Sequence, residues 1–460
     1  MDMRINLKIL ARILPNVEFY NLGKDEDFEI CNIAHLNSFD TFPSGTKTLY
    51  FLIYEDKPEI LGWYNKPFDR SQNLERLKKM NNLVFVADYR VSDEQLLNCR
   101  YVRVGDIYQA IKIIREYVIS SVNPKVVGVT GSVGKTTATS LIESVLSRKF
   151  HCGRIYSKRL TPLTLSSWLI NFLEPNHQIL TLEYSMYRKD HIGLLAQMLK
   201  PNIAVFLNIE RVHLGVDGIN TLCDIQEAKS VLIDKSEIGI LNADNPLILD
   251  LKRKNDLIFS RKDPKADAFI RSDGDVVYLN LNYVNQIIPF NSLYIKTRLF
   301  YYQVAATGLV SSLLGIPTSD IYETITNFVP AENRIKWIKA FGEDILFDGD
   351  VTISGRLFAL ANNDYKTSLL LIHSFDFGEE NVSLQVDDFN QAFSFFNEVR
   401  ILDTNENRDI VSKYSFKNIF FFTKSKFLKN ISNYQFKVFH FGTYYRKHKD
   451  LQYLFNFLSA

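Results

Sequence analysis

The sequence predicts an α/β protein of three domains, with a doubly wound, mostly parallel central sheet and a smaller α/β domain on either side. Three observations carry this. Residues 125–137, Lys125-Val-Val-Gly-Val-Thr-Gly-Ser-Val-Gly-Lys-Thr-Thr137, pass from a β-branched run through a glycine turn into a helix start. Strand-like and helical runs alternate from 125 to 332, as they do where helices cover both faces of a parallel sheet. Short apolar runs separated by helical patterns also precede and follow that region.

The amino-terminal domain is read over 1–122. Thr48–Tyr54 and Asn82–Asp88 are apolar, β-rich runs, and Leu74–Met80 between them has helical spacing. Ile107–Val118 is apolar at helical spacing and leads out of the domain. Ser120–Pro124 then reads as a linker, because Ser, Asn and Pro cluster before a strand. No catalytic pattern lies in this domain.

The central domain is read over 123–332. Val126, Val127 and Val129 predict a buried strand, and Leu141, Ile142, Val145 and Leu146 predict the following helix. Between them, Gly131, Ser132, Val133 and Gly134 form a turn, and Lys135, Thr136 and Thr137 open the helix. Glycines let backbone N–H groups face an anion, and the helix N-terminus adds partial positive charge. In such a P-loop the lysine reaches the β- and γ-phosphates, and the first threonine hydroxyl ligates Mg²⁺. ATP and Mg²⁺ are therefore the expected cofactors. The strict spacing wants a glycine where Val129 stands, so an ordinary glycine turn is the competing reading. Gln178–Tyr184, Asn202–Asn208 and Ile238–Asn242 are further strands, with helices around 135–148, 165–173 and 221–234. Ligands sit at the carboxyl ends of parallel strands, which points to Gly131–Thr137, Glu183 and Asn208–His213.

The third domain is read over 333–460 as Rossmann-like. Asp344–Asp348, Ser368–His373, Glu398–Leu402, Asn418–Phe422 and Lys437–His440 are strands at fairly even intervals.

Bulk properties narrow the function. The chain has 460 residues, 46% hydrophobic and 23% charged, within the range of globular proteins. A net charge of +2 gives no electrostatic case for nucleic acid or a membrane surface. Cys31, Cys99, Cys152 and Cys223 are scattered without a CxxC pair. That argues against a disulfide framework or a zinc site and fits a reducing cytoplasm. No run of 18 apolar residues predicts a membrane span, and a monomer is expected.

Three single residues gain weight together with the loop. Glu183 ends an apolar strand and His213 follows another, so either is a candidate metal ligand or an ordinary strand-end residue. Lys229 sits in a helix, where lysine is usually a solvated charge. With Gly128–Thr137 these residues resemble the Mur ligase family, ATP-dependent enzymes that join an amino acid or peptide to a carboxylate. Further matches are Ser185, Lys200–Val205, Asn208-Ile209, His213-Leu214, Ala228-Lys229 and Leu241–Pro246. The resemblance implies that Lys135 binds ATP phosphates and that Thr136, Glu183 and His213 ligate Mg²⁺. It implies a carbamylated Lys229 as a carboxylate-like ligand. The catalytic set is then Lys135, His213 and Lys229. Arg334 resembles the family's hinge arginine and Asp348 an aspartate of its third domain, both on the nucleotide side.

The amino-terminal domain resembles the group that adds D-alanyl-D-alanine to UDP-MurNAc-tripeptide, whereas His213–Leu222 is similar to the Mur-like module of cyanophycin synthetases. Departures accompany the matches. Tyr187 stands where that group has asparagine. Arg298-Leu-Phe-Tyr-Tyr302 replaces an adenosine-holding His-Asn-x-x-Asn, and Phe347–Ser354 keeps only an aspartate of Asp-x-Tyr-x-x-Asn-Pro. The expected activity is amide-bond formation through an acyl phosphate. The expected partners are a small-molecule carboxylate, on a nucleotide sugar bound by the first domain or on another molecule, and an amine. The UDP-MurNAc-tripeptide–D-alanyl-D-alanine ligase activity itself and a non-catalytic nucleotide-binding partner of the same fold are the alternatives.

Overall fold

The computed structural model describes residues 5–23, 26–33, 45–54, 69–155, 160–186, 188–212, 214–293, 297–330, 336–340, 343–348, 368–372, 375, 381–423, 425 and 438–442. The chain divides into two compact units. The first comprises Met1–Val126, Phe150–Ser185 and Gly193–Lys200; the second comprises Val127–Lys149, Met186–Ile192 and Pro201–Ala460.

The first unit opens with α1 (Leu7–Ile13), capped by the Asn6 side chain, which accepts from the Ile9 N–H. Strands β1 (Glu18–Tyr20), β2 (Ile30–Asn32), β3 (Thr48–Phe51), β4 (Leu83–Ala87) and β5 (Tyr101–Arg103) form a sheet of order β1-β5-β4-β3-β2. All neighbours are parallel except β1 and β5. β3 and β4 are buried throughout, as continuous apolar runs in a parallel sheet should be. A short α2 (Leu74–Leu77) lies between them in sequence.

α3 (Ile107–Val122) runs four residues past the expected helix, through most of the expected linker. Ser120 and Ser121 turn their hydroxyls back onto carbonyls of the preceding turn, at Glu116 and Tyr117, so serine does not break the helix here. Asn123 ends it in the left-handed conformation, leaving only Asn123 and Pro124 before the next strand, β6 (Lys125–Thr130). The first unit also holds β7 (Cys152–Ile155), parallel to β8 (Ile179–Glu183), with α5 (Pro162–Phe172) between them in sequence.

In the second unit β6 continues into the glycine turn and α4 (Lys135–Leu146). α6 (His191–Met198) lies mostly in the first unit, and the second unit goes on with β9 (Ile203–Phe206), α7 (Leu222–Lys235), β10 (Ile238–Asn242), α8 (Pro246–Leu249) and β11 (Leu257–Ser260). Then come β12 (Ala268–Asp273), β13 (Val276–Leu281) and β14 (Gln286–Phe290). Strand order is β14-β13-β12-β11-β10-β9-β6, parallel from β6 to β12 and antiparallel at the β14 edge. α9 (Arg298–Leu313), with 13 buried residues, packs on α4 and on β10–β13; α10 (Thr318–Thr326) follows.

The same unit carries a six-stranded sheet of β15 (Lys336–Ala340), β16 (Glu343–Asp348), β17 (Ser368–Ile372), β18 (Glu398–Leu402), β19 (Ile419–Phe422) and β20 (Val438–Gly442). Its order is β15-β16-β20-β17-β18-β19, parallel apart from β15. α11 (Val386–Ser394) and α12 (Asn405–Tyr414) supply helices, and Phe389, Phe393 and Phe416 centre its core. Among the described residues no helix is long and apolar enough to cross a membrane.

Candidate nucleotide site

The loop after β6 is shaped by two glycines for different reasons. Gly131 has φ +151°, and a Cβ there would lie 3.1 Å from Leu207 Cβ. Gly134 has φ +82° and caps α4; a Cβ there would lie 2.6 Å from Gln303 Nε2 and 2.9 Å from Leu299 Cδ1. Both the backbone conformation and the space exclude larger residues at Gly134.

Asn208, just beyond β9, holds the loop from beneath. Its Oδ1 accepts from the Val133 N–H at 2.9 Å and its Nδ2 donates to the Val133 carbonyl at 3.0 Å. Ser132 donates its N–H to the Asn208 carbonyl at 3.0 Å, and its hydroxyl accepts from the Glu210 N–H at 2.9 Å. From α9, Gln303 donates to the Gly134 carbonyl at 2.8 Å. The loop is therefore tied to two elements outside its own strand and helix.

Two lysines converge on one carbonyl. Lys135 Nζ lies 2.9 Å from the Gly131 oxygen and 3.1 Å from that of Ser132; Lys229 Nζ lies 3.1 Å from the same Gly131 oxygen. Lys229 is 1% exposed, on the inner face of α7. Burial, and secondarily the nearby Lys135 charge, hold its amine well below the usual lysine range. The solvated helix lysine that composition favours is excluded. A glycine loop at a helix N-terminus with cations beside it is an arrangement that holds phosphate.

Next to Val133 a cavity of about 230 Å³ is lined by Asn208, Glu210, Asp244, Asn245, Arg298 and Tyr302, among others. Tyr302 donates to Asp244 Oδ2 at 2.7 Å, and Arg298 Nε donates to the Tyr302 oxygen at 3.3 Å. Burial, then the Asp244 hydrogen bond, push the Tyr302 phenol up to about 12. Arg298 and Tyr302, the departures from His-Asn-x-x-Asn, thus lie together on the first turns of α9 and line one cavity. Glu210 also faces it. Burial raises its carboxyl to about 7, opposed by Arg298 and aided by Asp388. On the far side of the same loop, Arg211 Nε lies 2.6 Å from Asp388 Oδ2 of α11, and its Nη2 donates to the Leu384 carbonyl at 3.2 Å.

The structure brings together Gly131, Ser132, Val133, Gly134, Lys135 and Lys229, with Thr136 and Thr137 half-buried in the first turn of α4. Glu183 closes β8, half-buried, in the other unit. His213 and Arg334, like Tyr187, lie outside the described residues, and only the backbone of Asp348, at the end of β16, is described. Glu210, Gln303 and Asp244 join the site only through the fold. Glu210 lies within Asn208–His213 and Asp244 within Leu241–Pro246, but neither position has a chemical signature in sequence alone.

Elsewhere, His151, Glu174 and His177 offer ligand atoms within 4.8 Å of one another. His177 Nδ1 accepts from the Glu174 N–H at 2.9 Å, which puts the ring proton on Nε2 and removes it as a metal ligand.

Fold and loop define an α/β protein of the P-loop class. Residues 129–299 match the family described as "Mur ligase middle domain". The chain is 33% identical over 132 residues to the UDP-N-acetylmuramoyl-tripeptide–D-alanyl-D-alanine ligase of Synechocystis sp., covering 28% of each chain. It is 29% identical over 226 residues to the UDP-N-acetylmuramoylalanine–D-glutamate ligase of Symbiobacterium thermophilum, covering 46% of each. These matches thus span less than half the length of either relative. Among solved structures, the MurF ligase of Thermotoga maritima in complex with ADP superposes with a TM-score of 0.67 at 16% identity, over 86% of this chain and 90% of that one. At that identity the likeness is one of fold.

Proposed function

We propose that the protein is an ATP-dependent amide-bond ligase of Mur type. A substrate carboxylate oxygen attacks the γ-phosphorus of ATP and ADP leaves, giving an acyl phosphate. An amine then attacks the acyl carbon, phosphate departs, and the amine's proton is released. The observation that carries this reading is the phosphate loop with the Lys135 and Lys229 amines on one carbonyl. Positioning and charge neutralisation are what phosphoryl transfer asks of a protein.

In this reading Gly131–Thr137 hold the phosphates, Lys135 neutralises the transferred group, and Arg334 and Asp348 also bind the nucleotide. Mg²⁺ would be held by Thr136, Glu183, His213 and a carbamylated Lys229, and when bound it neutralises phosphate charge. The donor chemistry fits: a buried amine held neutral is able to add CO₂, and the resulting carbamate offers oxygen to a hard cation. Functionally, 1–122 would take the carboxylate substrate, 123–332 the ATP and 333–460 the amine.

The substrate pair is proposed as an amino acid or peptide and a carboxylate on a nucleotide sugar, because relatives with different acceptors share a UDP-N-acetylmuramoyl substrate by name. Phosphate release measured across such carboxylates and amines tests the reading. Turnover should require both substrates and vanish in Lys135→Ala. ATP hydrolysis that survives this substitution overturns the loop assignment, and nucleotide binding without turnover for any pair overturns the ligase. Complementation of a strain lacking the D-alanyl-D-alanine-adding step tests that narrower activity.

A further inference from the structure

A larger cavity lies wholly within the first unit. It has a volume of about 720 Å³, within the range of small-molecule sites, and opens between α3, the start of α5 and the last turns of α6. Tyr108, Ile111, Leu163, Leu194 and Met198 give it apolar walls. Arg115 stands among them, one helical turn beyond Ile111.

Arg115 is out of place for a core position. The residues of α3 that share its buried side are Ile107, Ala110, Ile111, Ile114 and Val118. It is itself 8% exposed. A guanidinium has five donors and always carries its charge, so burial demands partners. Nη1 donates to Ser166 Oγ at 3.2 Å, and that hydroxyl is itself committed to the Pro162 carbonyl at 2.9 Å. Among the described residues Nη2 reaches only the exposed Glu116 carboxylate, at 3.8 Å. Nε is buried and has no hydrogen-bond partner among the described residues. The Nε edge of a guanidinium is one of the two edges that carboxylates and phosphates grip with paired hydrogen bonds.

We propose that this cavity binds a small molecule with one anionic head group, carboxylate or phosphate, on an apolar body, the head group completing the Arg115 guanidinium. The apolar walls take the body. Lys112 and Arg115 are balanced in the lining by Asp106 and Glu116, which disfavours a polyanion such as a nucleoside triphosphate. The site shares no residue with the phosphate loop.

Isothermal titration calorimetry of the full chain with hexanoate, hexyl phosphate and neutral hexanamide tests this and separates the two head groups. One-to-one, saturable binding of at least one anion is expected, with hexanamide about tenfold weaker or more, as loss of a charge-assisted pair predicts. Arg115→Gln should bring the anion down to the level of the amide. Leu194→Trp fills the cavity while keeping the guanidinium and should abolish binding, with a circular dichroism melt reporting that each variant folds. Equal affinity for anion and amide, binding that survives Leu194→Trp, or no binding of either anion overturns the proposal.

Discussion

Lys229 is the residue whose environment is furthest from the one its type usually has. In isolation a helix lysine is a surface charge, yet this one is buried beside a second cation. Its depressed proton affinity makes it a cost to folding: the unfolded chain binds a proton there that the folded chain does not. Stability should therefore rise as pH approaches the ordinary lysine range. Lys229→Met should melt higher than the parent at neutral pH, the gap narrowing near pH 10, while phosphate release is lost. Glu210 carries the opposite sign. Its folded carboxyl titrates near 7 against a usual 4.5, so the folded state holds the extra proton and loses stability as pH rises through that window. Glu210→Gln should gain about 3 kcal/mol at pH 8 and almost nothing at pH 4, read from denaturant melts.

At the scale of elements, periodicity and turn chemistry explain what was legible. The apolar runs at 83–87, 203–206 and 238–242 became buried strands because parallel strands between helices have no wet face. The β12–β13 hairpin escaped, although Ser272-Asp-Gly-Asp275 is a turn signal and β13 alternates half-buried and buried residues. Its antiparallel strands extend a sheet otherwise expected to be mostly parallel. α7 begins with a reciprocal cap: the Thr221 hydroxyl accepts from the Asp224 N–H at 3.1 Å, and Asp224 Oδ2 accepts from the Thr221 N–H at 2.9 Å. Thr221→Ala should cost about 1 kcal/mol of unfolding free energy in a urea melt, and through α7 it should loosen the placement of Lys229.

At the scale of the molecule, the glycine loop was readable because its glycines and lysine follow from backbone geometry and charge. The cavity beside Val133 was not, since its Glu210, Asp244, Arg298 and Tyr302 come from three separate stretches that only the fold assembles. The second unit also joins the Asn208–Glu210 loop to α11 through Arg211 and Asp388. Arg211 is half exposed, so this pair should be weak. A double-mutant cycle of Arg211→Ala and Asp388→Ala should return a coupling of roughly 0.5–1 kcal/mol that shrinks in high salt.

The contact between Gly134 and Gln303 has a consequence for how this sequence can drift. Two independent conditions hold Gly134 in place, a positive φ and a side chain from α9 occupying the room a methyl group would need. Trimming Gln303 lifts only the second condition and also removes the donor to the Gly134 carbonyl. The ordinary route by which neighbouring positions change in step, one shrinking as the other grows, is therefore closed here. Gln303→Ala should fail to rescue the thermal stability of Gly134→Ala, and each single variant should melt lower than the parent. A family diverging around this loop is free to rewrite the cavity next door while these two positions, 169 residues apart, stay fixed together.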